Sequence, residues 1–151
     1  TCKWHWETTT DVGDDGMMAA QTDFGQRALR VLIVEDTLMH QRLEARLLQR
    51  QGHFVTVSCN GKEDVDLLES ERFDLVLMDV EMPVMDGLTA TALIRRRERA
   101  RGRHTAIVAV TSSAEPEACR RAGMDAHLAK PLQLDALNET VQRLGVTFAA
   151  A

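Results

Sequence analysis

Acidic side chains follow two mostly apolar runs of this chain, at the points where the runs end. Glu35 and Asp36 come directly after residues 29–34, and Asp79 closes the run of residues 73–79. Runs of this kind are typical of strands buried on both faces of a parallel sheet. Because ligands bind just outside the carboxyl ends of such strands, these carboxylates are predicted to meet at one edge of the sheet.

Two further groups that can act on an anion follow later strands. Thr111 comes after residues 106–110, and Lys130 comes after residues 125–129. Clustered carboxylates raise one another's pKa unless a cation lies among them, and Mg²⁺ prefers such oxygen ligands. A carboxylate is also a nucleophile toward phosphorus, while a lysine, a hydroxyl and a metal ion stabilise the charge of a transferring phosphoryl group. These residue types therefore point to phosphoryl transfer.

The elements that must position these residues alternate along the chain. Strands are predicted over residues 29–34, 54–58, 73–79, 106–110 and 125–129. Helices are predicted over residues 38–51, 62–70, 88–101, 116–123 and 134–144. Such alternation predicts a parallel sheet with right-handed crossovers, a doubly wound α/β domain. The alternating pattern of residues 54–58 favours an edge strand.

Capping residues mark the predicted helix ends. Asp86 is a natural N-cap, Asn60 begins a turn, and Gly52 is assigned to the C′ position of the first helix. Pro116 and Gly123 bracket a helix of about two turns. Apolar residues at helical spacing are expected to face the core. They are Met39, Leu43, Leu47 and Leu48 in the first helix, and Leu88, Ala92 and Leu93 in the third.

The composition fits one globular domain. The chain has 151 residues, 44% of them hydrophobic, and a net charge of −5. This charge gives no basic field that would favour nucleic acid or an anionic membrane. The arginine-rich stretch of residues 95–103 is assigned to a solvated helix end, where arginines complement the macrodipole. Neither aromatic interleaving nor a groove-reading motif accompanies it, so no nucleic-acid partner is expected.

Cysteine usage and hydropathy bear on the compartment. Cys2, Cys59 and Cys119 are odd in number and lack metal-ligand spacing, which favours a reducing compartment. No apolar run is long enough to cross a bilayer, and the first residues do not resemble a signal peptide. A cytoplasmic location without direct membrane contact is therefore expected.

Residues 1–28 show no hydrophobic period. Their five acids and two bases give a net charge of −3, which predicts a poorly ordered tail, a linker or a cloning remnant. An interaction peptide at residues 4–6 is the alternative. The folded domain is assigned to residues 29–147, and residues 148–151 to a second tail.

Four ordered blocks of the chain resemble the signature of response-regulator receiver domains. The blocks are residues 31–36, 77–87, 110–112 and 128–131. The resemblance extends over residues 29 to about 145. It implies a flavodoxin-like sheet of five parallel strands in the order 2-1-3-4-5, with five helices.

The resemblance also implies the roles of the acidic residues. Asp79 would be the phosphoacceptor, and Asp36, Asp79 and the backbone carbonyl of Glu81 would hold Mg²⁺. Glu35 would act on the ion through water. Mn²⁺ would also suit this set of ligands.

Further roles follow from the same resemblance. Thr111 and Lys130 would bind the phosphoryl oxygens, and the bond between Lys130 and Pro131 is expected to be cis. His127 occupies the usual aromatic switch position and would report phosphorylation together with Thr111. Between Thr111 and Gly123 the chain is about one helical turn shorter than is common in the family.

The sequences of these blocks resemble most the receivers of hybrid sensor histidine kinases. The expected phosphodonor is then a histidine kinase core or a histidine phosphotransfer domain. The receiver would accept a phosphoryl group rather than turn over a substrate, while a parent kinase could be anchored in a membrane. Phosphorylation would switch the face built by the fourth helix, the fifth strand and the fifth helix, which could also form a homodimer. No DNA-binding output domain is expected after Lys130.

Three alternatives stay open. A phosphatase of the haloacid-dehalogenase type also uses a strand-end aspartate, but it has a second aspartate where this chain has Glu81, and its metal-binding acid follows the lysine. A degenerate receiver that serves only as an interaction module would fit the short fourth helix. His40 could be a phosphorylated histidine, although its surroundings do not resemble a kinase histidine box and favour a solvated helix face.

Overall fold

The described residues form a six-stranded sheet with helices on both faces in a computed structural model. These residues are 4–6, 28–82, 85–113 and 115–145. The strands are β1 (Trp4–Trp6), β2 (Arg30–Val34), β3 (Phe54–Ser58), β4 (Leu75–Asp79), β5 (Ala106–Thr111) and β6 (Ala126–Ala129). The helices are α1 (Leu38–Arg50), α2 (Gly61–Ser70), α3 (Gly87–Arg101), α4 (Pro116–Ala122) and α5 (Leu134–Leu144). None of these helices is long and apolar enough to cross a bilayer.

The five parallel strands pair in the order β3-β2-β4-β5-β6. Counted along the parallel strands alone, this is the predicted order 2-1-3-4-5. The predicted doubly wound fold with five helices is confirmed. The predicted elements all exist, and their bounds differ from the observed ones by at most two residues.

The parallel strands are buried on both faces, as their apolar runs predict. Helices α2, α3 and α4 cover the face that carries Val34 and Met78. Helices α1 and α5 cover the opposite face, which carries Ile33 and Leu77. Both faces of the sheet are covered by helices, and the candidate site lies at the carboxyl ends of the strands, where ligands bind in such folds.

Side-chain caps begin α2 and α3. Asn60 Oδ1 accepts hydrogen bonds from the backbone N–H groups of Lys62 and Glu63, each at 3.0 Å. Asp86 Oδ1 accepts one from the N–H of Thr89 at 2.8 Å, which confirms the predicted N-cap. Each cap satisfies N–H groups that have no partner within the helix.

The inward faces of α1 and α3 differ from the predicted apolar stripes. Met39 is 75% exposed and Leu43 is 44% exposed, whereas Gln41 is buried. The prediction for α1 is confirmed for Leu47 and Leu48, which pack in the core, and is wrong for Met39 and Leu43, because polar contacts set the rotation of the helix. Its inward residues are Gln41, Glu44, Ala45 and Leu48.

In α3, Ala92 is exposed and Arg95 is buried, the reverse of the prediction, because buried ion pairs hold the arginine.

A sixth strand, which was not predicted, lies along the outer edge of β3. β1 pairs antiparallel with β3, and Trp4 lies opposite Val57 while Trp6 lies opposite Val55. β3 is therefore the edge of the parallel strands but not of the whole sheet. A strand of three residues is too short to show a hydrophobic period. The rest of the predicted tail up to residue 27, and the C-terminal tail at residues 148–151, lie outside the described residues.

Candidate functional site

The carboxyl ends of β2 and β4 bring the predicted acidic residues together. One carboxylate oxygen from each of Glu35, Asp36 and Asp79 lies within 4.8 Å of the others. The parallel pairing that sets Val34 opposite Met78 brings both strand ends to the same edge. The prediction that these acids meet is confirmed.

Lys130 reaches the acidic residues from the end of β6. Its Nζ lies 2.9 Å from Glu35 Oε2 and 3.2 Å from Asp79 Oδ2. Its backbone N–H donates a hydrogen bond to the carbonyl of Thr111 at 3.0 Å, and its peptide bond to Pro131 is cis, as expected. The single ammonium therefore faces two carboxylates.

Burial and charge set the ionisation of the two carboxylates that Lys130 contacts. Glu35 is 1% exposed and Asp79 is 4% exposed. Burial, and then the negative charge of Glu35, raise the pKa of Asp79 to about 7. Burial also favours a higher pKa for Glu35, but the hydrogen bonds from Lys130 and from the Thr37 N–H outweigh it and lower that pKa. Glu35 therefore holds its charge more firmly than Asp79 does.

This group of residues suits a hard divalent cation. Its three carboxylates offer oxygen ligands, and Asp36 is exposed, so solvent can complete a coordination shell. The pKa of Asp79 stays raised by burial and by the charge of Glu35 even though the charge of Lys130 acts to lower it. Mg²⁺ takes one or two carboxylates and keeps several waters, which fits this arrangement.

The acidic residues open onto a cavity of about 450 Å³. Its lining includes Asp36, Asp79 and Lys130, together with His40 and Glu44 of α1. The volume lies within the range of roughly 300–1,000 Å³ that is usual for ligand pockets. The cavity is therefore large enough to admit a partner's side chain beside a phosphoryl group.

Thr111 and Glu81 lie at the same edge and are linked through Ser113. The Thr111 hydroxyl donates to the Ser113 carbonyl at 3.0 Å, and the Ser113 hydroxyl donates to Glu81 Oε1 at 2.8 Å. The Glu81 backbone N–H donates to Asp79 Oδ1 at 3.1 Å. These bonds connect the end of β4 with the end of β5 through Glu81 and Ser113.

His127 lies apart from the acidic residues. It is exposed on β6 and lines a different cavity, of about 240 Å³, with Cys119 and Arg120 of α4. The Cys119 side chain is buried in the core beneath α4. The switch role of His127 stays a prediction.

His40 and Glu44 were not predicted as residues of this site. His40 Nδ1 lies 3.5 Å from both Glu35 Oε1 and Lys130 Nζ. Glu44 is buried, and this burial, followed by the charge of Glu35, raises its pKa to about 8. Their spacing could have indicated that they lie together, because residues four positions apart share one face of a helix.

Gly87 packs against the strand end that carries Asp79. A Cβ at this position would clash with the backbone carbonyl of Asp79 and lie 2.9 Å from Met78 Cγ. The Gly87 N–H donates to the carbonyl of Val80 at 3.1 Å. Asp86 thus caps α3 while the following glycine lets the helix begin in contact with the site.

Most of the chain is similar to known proteins. Residues 31–142 match the response regulator receiver domain family. Hybrid signal transduction histidine kinase G of Dictyostelium discoideum is 40% identical over 140 residues, which cover 87% of this chain and 4% of that protein. The chain therefore corresponds to a small part of this relative.

Two solved structures resemble the fold. The receiver domain of sensor histidine kinase PA1611 from Pseudomonas aeruginosa PAO1, with a magnesium ion in its active site cleft, has a TM-score of 0.70 and 36% identity. The match covers 78% of this chain and 97% of that one. A chain in the complex of the Saccharomyces cerevisiae histidine phosphotransfer protein Ypd1 with the receiver domain of Ssk1 has a TM-score of 0.72 and 27% identity. That match covers 80% of this chain and 92% of the other.

Proposed function

Because the chain belongs to the response regulator receiver domain family, we propose that it accepts a phosphoryl group on Asp79 in a two-component phosphorelay. The observation that carries the proposal is the position of this buried carboxylate, 3.2 Å from Lys130 Nζ and within 4.8 Å of two other acids. The donor is a phosphohistidine on a histidine kinase core or a histidine phosphotransfer domain. The parent protein is a hybrid histidine kinase, the class of the relative that matches 87% of the chain.

The transfer is a single displacement at phosphorus. A carboxylate oxygen of Asp79 attacks the phosphorus as the bond to the donor's imidazole nitrogen breaks, and the imidazole keeps the electron pair. Asp79 must be ionised to attack, and the charge of Lys130 acts to lower its pKa. The same ammonium then binds an oxygen of the transferred group.

Mg²⁺, when bound, supplies positive charge against the oxygens of the phosphoryl group. The residues that would hold it are Asp36, Asp79, the backbone carbonyl of Glu81 and, through water, Glu35. Asp36 is the exposed one of the three clustered carboxylates, so it would meet the hydrated ion before Glu35 and Asp79.

Thr111 links the new charge to the protein surface. Its hydroxyl donates to the Ser113 carbonyl in this structure. A phosphoryl oxygen on Asp79 is a stronger acceptor, because it is charged. If the hydroxyl turns to that oxygen, the Ser113 carbonyl loses its donor, and the segment that leads into α4 gains freedom to move. The face of α4, β6 and α5, which includes His127, then changes its preferred partner or forms a homodimer.

Apolar residues of α1 offer a contact surface for the donor. Leu38, Met39 and Leu43 are exposed, and Leu43 also lines the cavity above Asp79. Exposed apolar groups that cluster in this way mark sites of protein interaction. A donor that packs on α1 would bring its histidine to the mouth of the cavity.

Phosphotransfer from a radiolabelled phosphohistidine donor in the presence of Mg²⁺ tests this proposal. Asp79→Asn should lose the label. Asp86→Asn should keep it, because an asparagine still caps α3. Label that persists in Asp79→Asn would contradict the assignment.

Failure of the wild-type chain to take label from a histidine donor or a small phosphodonor would favour an interaction module. Sustained phosphate release from a phosphomonoester would favour a phosphatase.

A further inference from the structure

The outer edge of β3 carries backbone groups that do not belong to the parallel sheet. The N–H of Phe54 and the carbonyl of Ser58 both bond on the β2 side, at 2.9 Å and 3.1 Å. Successive residues of a strand turn their N–H and C=O groups to opposite sides. Val55 and Val57 therefore turn theirs outward, away from β2.

β1 meets these outward groups. Trp6 lies opposite Val55, and Trp4 lies opposite Val57. In an antiparallel ladder, opposite residues whose backbone groups face each other exchange both N–H···O=C bonds. By the same alternation, His5 turns its own N–H and C=O away from β3.

Apart from the covering strand β1, the residues of β3 do not protect this edge. Its sequence, Phe-Val-Thr-Val-Ser, contains no charged residue and no proline. Its aromatic and β-branched residues favour extended structure. An edge of this composition readily accepts another extended segment.

The present occupant of this edge is a short strand. β1 has three residues and is separated from β2 by residues 7–29. So short a strand gains few hydrogen bonds against the conformational entropy lost on ordering it. We infer that the outer edge of β3 is a strand-acceptor site, and that the Trp4–Trp6 segment of this chain is its displaceable occupant.

Amide hydrogen exchange tests the pairing in the full-length chain. A Trp4→Pro, Trp6→Pro double variant removes the N–H groups that face β3, whereas His5→Pro removes one that faces away and is the matched control. Exchange at Val55 and Val57 should become about tenfold faster or more in the double variant and stay unchanged in the control. Equal exchange at these two amides in all three chains would overturn the inference.

A synthetic peptide with the sequence of residues 1–8, carrying a fluorophore, tests the edge as an acceptor. It should bind the double variant at least about tenfold more tightly than the wild-type or His5→Pro chain, because a tethered occupant competes there. A doubled mass that light scattering finds in the double variant, but not in the wild-type or His5→Pro chain, would mean that a second copy has filled the edge and would also support the acceptor site. A double variant that stays monomeric and binds no peptide would overturn it.

Discussion

Lys130 Nζ donates a hydrogen bond to Glu35 Oε2 at 2.9 Å, across 95 positions of the sequence. The two side chains are only 15% and 1% exposed. Exposed ion pairs contribute little to stability, but a pair this buried is costly to break from one side only. The resting site thus already shares its lysine between Glu35 and Asp79, and a phosphoryl group on Asp79 must compete with Glu35 for it.

Replacement of Lys130 by alanine should separate metal binding from signalling. The three acids lose their nearby cation, so Mg²⁺ affinity, measured by calorimetry, should rise rather than fall. The change in hydrogen exchange that phosphorylation causes at residues 111–122 should be largely lost, because no ammonium binds the new group. Lys62→Ala, an exposed lysine of α2, should alter neither property. A full exchange response in Lys130→Ala would contradict this role.

Asp64 should cost stability at neutral pH. It is fully buried in α2, and neither of its carboxylate oxygens has a hydrogen-bond partner among the described residues. Asp64→Ala should raise the free energy of unfolding at pH 7 by about 1–3 kcal/mol. The exposed Asp66→Ala on the same helix should change it by less than about 0.5 kcal/mol.

The pH dependence of this effect has a defined sign. Burial raises the pKa of Asp64 well above its ordinary value. A group whose pKa is raised by folding contributes its full stability below the unfolded value, about 3.9, and loses it as the pH rises. The gap between Asp64→Ala and wild type in urea denaturation should therefore widen from about pH 4.5 to pH 8. A gap that narrows over this interval would rule out the explanation.

Glu44, at the edge of the site, should also stabilise the fold less as the pH rises. Its pKa is raised to about 8, so the protonated form dominates in the folded chain at pH 6. Its contribution to stability is full below the ordinary glutamate pKa and disappears as the pH rises through about 8. Glu44→Gln should match wild type near pH 4.5 and unfold at higher urea concentration than wild type near pH 8.5. Glu139→Gln, exposed on α5, should track wild type at both values.

Arg95 should be sensitive even to a change that keeps its charge. Its Nη1 donates to Glu98 Oε2 at 2.6 Å and to the Thr105 carbonyl at 2.7 Å. Its Nε donates to the Gly123 carbonyl at 2.9 Å, and its Nη2 to Asp125 Oδ2 at 2.8 Å. A lysine cannot reproduce this planar set of donors. Arg95→Lys should lower the free energy of unfolding by about 2 kcal/mol or more, because one ammonium cannot replace the bonds to Glu98 and Asp125 together.

Arg96→Lys is the control for this variant, since the neighbouring arginine is exposed. Its unfolding in urea should stay within about 0.5 kcal/mol of wild type. If both lysine variants unfold together with wild type, the buried network contributes little and its role is disproved.

The acidic part of the site could be predicted because its signal is local. Glu35, Asp36 and Asp79 each end or directly follow an apolar run, and parallel pairing necessarily brings such ends to one edge. The rotation of α1 could not be predicted in this way. It depends on a 2.6 Å hydrogen bond from Gln41 Nε2 to the carbonyl of Glu35, which only the folded loop creates.

Two other features lacked any local signal. Arg95 looks like part of a solvated, arginine-rich helix end, and only the approach of Gly123 and Asp125 makes it a buried residue. β1 pairs with a strand about 50 positions later in the chain, through backbone atoms that every residue possesses. Periodicity cannot detect a pairing of this kind.

Helices α1 and α4 cover opposite faces of the sheet. A protein that packs on α1 to deliver a phosphoryl group would leave α4 uncovered, with the full thickness of the sheet between them. Binding of the phosphodonor to α1 therefore does not prevent another protein from binding to α4 at the same time. Donor, receiver and a protein that recognises α4 could form one ternary complex, in which the signal is passed on before the donor dissociates.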